Sequence, residues 1–167
     1  SRAFQIVLMP STLFGSVLDS VLFPAMSTMQ ENNVSLKNAF RRGVLFIAVI
    51  IFPISILSVI LAPEIIRIFL GENWSDVILP FQILALGMLF RTSNKMSDSL
   101  ARAKGAVYNR AWRQALFAIA VFVGAWVGSY GGLPGVAFGV LLANLLNYCL
   151  MAQLSLKILS MSWKEFF

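Results

Sequence analysis

Long apolar runs alternate with short, mostly basic polar stretches along the whole chain. Five of these runs, at residues 4–29, 43–70, 77–102, 112–130 and 134–156, are long enough to cross a bilayer as helices. The first contains Pro10 and Pro24, the small residues Ser11, Gly15, Ser16 and Ser20, and an acid, Asp19, near its middle. The second is uncharged over 43–62, with Pro53 in its interior as an expected kink, and continues as a shorter segment, 65–70, ended by Gly71. Residues 30–42 read as a loop passing into a basic helix start, 71–76 as a short turn, and 103–113 as a basic connection. From 114 to 156 there is no charge for 43 residues, too long for one span. Tyr130-Gly131-Gly132-Leu133-Pro134-Gly135 punctuates this run and predicts an antiparallel helical hairpin. Gly124 and Gly128, then Gly135, Gly139 and Ala143, supply the spacing of small residues that lets helices approach closely. Asn144 and Asn147 are placed to bond across helices, and Trp74 and Trp163 to anchor at the membrane surface.

The predicted fold is therefore all-α: a polytopic membrane bundle of five helices in one domain, residues 1–167. Composition supports a bilayer as the solvent. The chain is 59% hydrophobic and 12% charged, where a soluble domain carries roughly a quarter charged residues. Mean hydropathy is +0.82. With no histidine and one cysteine, Cys149, a Cys/His zinc site, a Ser-His-Asp triad and a disulfide framework are all excluded. The net charge of +6 does not point to nucleic acid, because the basic residues cluster beside apolar spans. No basic leader with a short apolar core opens the chain, so no signal peptide is expected. The start, Ser1-Arg2-Ala3-Phe4, lacks a methionine and reads as the middle of a helix, and the chain is expected to be a piece of a longer protein.

Orientation follows from the Lys and Arg count. Residues 30–42, 102–113 and 157–167 hold nine, and the other side holds Arg2 and Arg67. Those three segments are expected in the cytoplasm, with the chain entering at the outer face and ending inside.

The candidate chemistry lies on the third span. Arg91, Lys95, Asp98 and Arg102 follow at spacings of four, three and four, which places them in one stripe of a helix. Asp19 and Arg91 each lie roughly 20 Å from the outer end of their spans at 1.5 Å per residue, near a common depth. They are expected to pair or to share one polar cavity. Asp19 reads equally as a structural acid paired to a neighbouring helix. Arg102, and Lys95 with it, also fit side chains reaching for the interface, a reading that prevails for Arg102. Arg91 is too deep for that. Together with Asn94, these residues read as a partly cationic path for an anionic head group, to which the planar fork of arginine is suited.

Three stretches carry a family likeness. They are Pro10-Ser11-Thr12-Leu13-Phe14-Gly15-Ser16-Val17-Leu18-Asp19-Ser20-Val21-Leu22-Phe23-Pro24-Ala25-Met26-Ser27, Leu61-Ala62-Pro63-Glu64-Ile65-Ile66-Arg67-Ile68-Phe69-Leu70-Gly71-Glu72-Asn73-Trp74, and Leu79-Pro80-Phe81-Gln82-Ile83-Leu84-Ala85-Leu86 with its polar tail. In order, they resemble Wzx-type polysaccharide flippases of the MOP superfamily, which also holds the MurJ lipid II flippases and the MATE exporters. The resemblance implies helices of about the eighth to the twelfth in a transporter of twelve or more, in the bacterial cytoplasmic membrane. It implies alternating access and, as cargo, an undecaprenyl-pyrophosphate-linked oligosaccharide for surface or exopolysaccharide synthesis. The partner N-terminal lobe, membrane lipids and this glycan are the implied partners. No cofactor is implied beyond a coupling proton or sodium ion at Asp19 or Asp98.

The alternatives are a MATE-like exporter of organic cations, a MurJ-type lipid II flippase, a membrane glycan polymerase or ligase, and a scaffolding subunit. A cation exporter favours carboxylates and aromatics in its path, whereas this span offers more cations than anions. A membrane enzyme usually holds its site in large outer loops, and the outer connections here are short. An enzyme is not expected.

Overall fold

The computed structural model describes Thr28 and residues 33–160. Apart from Thr28, the first predicted span, with Asp19, lies outside the described residues, as do Trp163 and Lys164. The described residues form α1 (Asn33–Ile60), α2 (Ala62–Leu70), a 3-10 turn (Glu72–Val77), α3 (Ile78–Ala103), α4 (Val107–Ser129) and α5 (Gly132–Leu159). No strand occurs among them. The fold is an all-α membrane bundle, and α1, α3, α4 and α5 are each long and apolar enough to cross a bilayer.

The helices extend beyond the apolar runs. Residues 33–42, expected to begin as loop, are already the first turns of α1. The basic connection expected over 103–113 is reduced to Lys104, Gly105 and Ala106. Hydropathy marks where the membrane stops, and Lys, Arg and Gln are good helix formers that carry the helix past that point. α1 runs through Pro53, and the break falls at Leu61, where Pro63 opens α2 at its first turn.

Contacts fix the directions of the helices. Ser55 Oγ donates to the Ala85 carbonyl at 2.6 Å, and Gln82 Nε2 donates to the Val59 carbonyl at 3.0 Å. A Cβ at Gly43 would run into the Met96 side chain. The residue numbers in these three pairs have nearly the same sum, so α1 and α3 are antiparallel. Between α4 and α5 the sum is constant for Gly124 with Gly139, Gly128 with Gly135, and Arg113 Nε with the Leu150 carbonyl. These two helices are antiparallel and in register over almost their whole length. Gly87 against Leu141, and Phe90 stacked near Tyr148 with ring centroids 5.7 Å apart, show α3 and α5 to be parallel.

One end of the bundle therefore gathers the start of α1, the α3–α4 turn and the end of α5. Lys37 Nζ reaches the Ser160 carbonyl there at 3.4 Å. The main core, Leu36, Phe40, Ile47, Ile51, Met96, Leu100, Ala103, Leu156 and Leu159, lies toward the same end. Outward-facing Phe46, Val49, Phe52, Phe122, Trp126 and Phe138 are exposed, as expected where hydrocarbon surrounds the protein.

Candidate functional site: a charged stripe on α3

The two ends of the bundle differ in charge. Lys37, Arg41, Arg42, Arg102, Lys104, Arg110, Arg113 and Lys157 lie at or near the end just described, here called the basic end. Glu64, Arg67, Glu72 and Asp76 lie at the other. Between them α3 carries Arg91 and Lys95.

α3 turns about 100° per residue, and its contacts divide it into faces. Gln82, Ala85 and Met96 face α1. Gly87, Phe90 and Ala101 face α5. Arg91, Lys95, Asp98 and Arg102 fall on the arc between these faces, beside the one toward α5. Arg91 is exposed and Lys95 half-buried. The stripe thus runs along one arc of α3, from exposed Arg91 past half-buried Lys95 to Asp98, whose side chain is 15% exposed.

Asp98 is bound by two arginines. Arg110 grips it with two parallel donors, Nε on Oδ1 and Nη2 on Oδ2, the latter at 3.2 Å. Arg102 Nε lies 3.3 Å from the same Oδ2, and Arg102 Nη2 donates to Ser99 Oγ at 3.5 Å. One carboxylate sits between two guanidiniums, and side-by-side pairing is the strongest geometry such groups adopt. Sequence reasoning missed Arg110 because the residue was assigned to a connection. The usable signal was the tight turn: Gly105, at φ +67°, reverses the chain within three residues and returns α4 past the last turns of α3.

Asn94 stands apart from the stripe. It is 8% exposed, turned toward α5, and its Oδ1 lacks a hydrogen-bond partner. Asn147 of α5 is 5% exposed and likewise has an unpartnered Oδ1. Asn144, expected to bond across helices, instead donates Nδ2 to the Val140 carbonyl of its own helix at 2.9 Å.

The chain has known relatives. Residues 1–79 match a family described as polysaccharide biosynthesis protein. A lipopolysaccharide biosynthesis protein, WzxC, of Escherichia coli K12 is 25% identical over 98% of this chain. The resemblance to Wzx-type flippases holds. An uncharacterized membrane protein in the cps region of Klebsiella pneumoniae is 26% identical over 87% of the chain. The teichuronic acid biosynthesis protein TuaB of Bacillus subtilis is 22% identical over 99% of it. The chain spans about a third of the length of these relatives (34%, 30% and 34%). No solved structure matches it. The chain is thus a multi-pass membrane protein similar to proteins of lipopolysaccharide and teichuronic acid biosynthesis.

Proposed function

We propose that this chain is part of a flippase that moves undecaprenyl-pyrophosphate-linked oligosaccharide across the bacterial cytoplasmic membrane. The observation that carries the reading is the stripe of α3: three cations and one acid on a membrane-spanning helix, on the arc between its faces toward α1 and α5. A charge at that depth is costly unless it meets water or a partner, and an anionic head group is the partner that a net cationic surface selects. In this reading the basic end is cytoplasmic, as the Lys and Arg bias favours, and the C-terminus lies inside. The other lobe comes from a longer protein, and alternation between the two lobes exposes the stripe first to one side and then to the other.

The same geometry weakens the MATE-like alternative. Asp98, the only acid of the stripe, is already held by Arg102 and Arg110, which leaves an organic cation no open carboxylate there. For the same reason Asp19 is the better candidate for a coupling proton or sodium ion. The test uses the full-length protein with Arg91→Ala or Asp19→Ala, and surface-glycan export as the readout. Loss of export in either variant supports the assignment. Unchanged export in both removes it.

A further inference from the structure

The end of the bundle opposite the basic one holds a pocket apart from the α3 stripe. We propose that this pocket binds the head group of a zwitterionic, amine-bearing phospholipid, with Arg67 taking the phosphate and Glu72 the ammonium. Such a site needs only a bilayer around the chain, whatever the cargo.

Gly71 builds the pocket. At φ +90° and ψ 173° it takes a backbone conformation open essentially to glycine alone, and there the chain passes from α2 into the 3-10 turn. Glu72 and Ser75 of that turn come beside Arg67 in the last turn of α2, and with Ile66, Gly71 and Ile78 they line a space of about 250 Å³. Arg67 and Glu72 are exposed, and among the described residues no ion pair joins Arg67 to Glu72 or to Glu64. The pocket thus offers one cation and one anion, neither neutralised by the other. A simple phosphate answers only the first and a simple ammonium only the second. A head group that carries both answers the two together, and the guanidinium fork suits its phosphate. The Ser75 hydroxyl adds a donor for the same oxygens. Depth agrees. The uncharged stretch 43–62 spans about 30 Å as a helix, the thickness of the hydrocarbon core, so Arg67 and Glu72 arrive at head-group level. Ile68 and Phe69, which follow Arg67 in α2, and Trp74 in the turn are exposed. They supply apolar surface for acyl chains and an indole for the interface. Among the described residues this end also carries Glu64 and Asp76, an excess of acid that favours an amine-bearing lipid over a purely anionic one.

The test uses delipidated full-length protein and native mass spectrometry. Binding of phosphatidylethanolamine, phosphatidylcholine and phosphatidylglycerol is measured for the wild type, Glu72→Gln and Arg67→Gln. The wild type is expected to prefer phosphatidylethanolamine, whose primary ammonium donates hydrogen bonds that a quaternary one cannot. Glu72→Gln is expected to weaken phosphatidylethanolamine about two- to five-fold, the range of a solvent-exposed ion pair, and to spare phosphatidylglycerol. Arg67→Gln is expected to weaken both. Soluble phosphoethanolamine, added as a competitor, separates the head group from the whole lipid. Displacement supports the site and assigns it to the head group alone; retention of a lipid that responds to both substitutions supports it for the lipid with its chains. A wild type that binds the three lipids alike overturns the site. So does a preference for phosphatidylethanolamine that survives both substitutions unchanged. Neither of these outcomes touches the flippase reading, which is tested by glycan export.

Discussion

Gly124 and Gly139 meet backbone to backbone: a Cβ on Gly124 would lie 2.8 Å from the Gly139 carbonyl oxygen. Gly128 and Gly135 repeat the contact one turn nearer the hairpin. Close approach of this kind gains dispersion between main chains where lipid provides no hydrophobic drive. A leucine at Gly124 must push the helices apart. Gly124→Leu is expected to destabilise the α4–α5 pair by about 1–3 kcal/mol, read as a lower thermal midpoint in detergent. A leucine at exposed Val123, one residue away, should leave the midpoint unchanged.

The α1–α3 contact rests on a different device, a buried hydroxyl. Ser55 is 4% exposed, and its Oγ donates to the Ala85 carbonyl. Ser55→Ala removes the donor and leaves that carbonyl its own helical partner. The expected loss is about 0.6 kcal/mol, the mean for such bonds in a membrane. Equilibrium unfolding in mixed micelles measures it.

The α3–α4 turn depends on one backbone conformation. Gly105 sits at φ +67° in a three-residue connection. Gly105→Ala is expected to cost roughly 1–2 kcal/mol from the left-handed strain. It should also loosen the Asp98–Arg110 pair, seen as faster hydrogen exchange at the start of α4.

Cys149 reports on the surroundings of α5. It is exposed on a helix that crosses the membrane, and its neighbours Leu145 and Leu146 are exposed as well. In intact membranes it should react with an apolar maleimide and resist a charged one. Rapid labelling by the charged reagent would place water, not lipid, on that face.

Much of this fold was legible in the residue pattern, for stated reasons. Apolar length gives four membrane-crossing helices among the described residues, and the Gly131–Gly132 pair gives the hairpin turn. The spacing of Gly124, Gly128, Gly135 and Gly139 gives the close α4–α5 contact. The stripe of Arg91, Lys95, Asp98 and Arg102 was equally readable, because helical periodicity alone sets it. Two things were not. The polar ends of α1 and α4 are helical although hydropathy stops short of them, so Arg110 was read as part of a loop and its pairing with Asp98 went unseen. Nor does periodicity say which neighbour a face meets: Asn94 looked like a member of the stripe, and packing turns it toward α5.

The strict register of α4 against α5 limits how these helices can change over time. Deleting one residue inside either would rotate everything beyond it by about 100°, parting one glycine from its opposite number and exposing another. Length variation is therefore expected to be confined to the hairpin tip around Tyr130, with both shafts keeping a fixed count. Single-codon insertions scanned along the two helices should show that boundary directly.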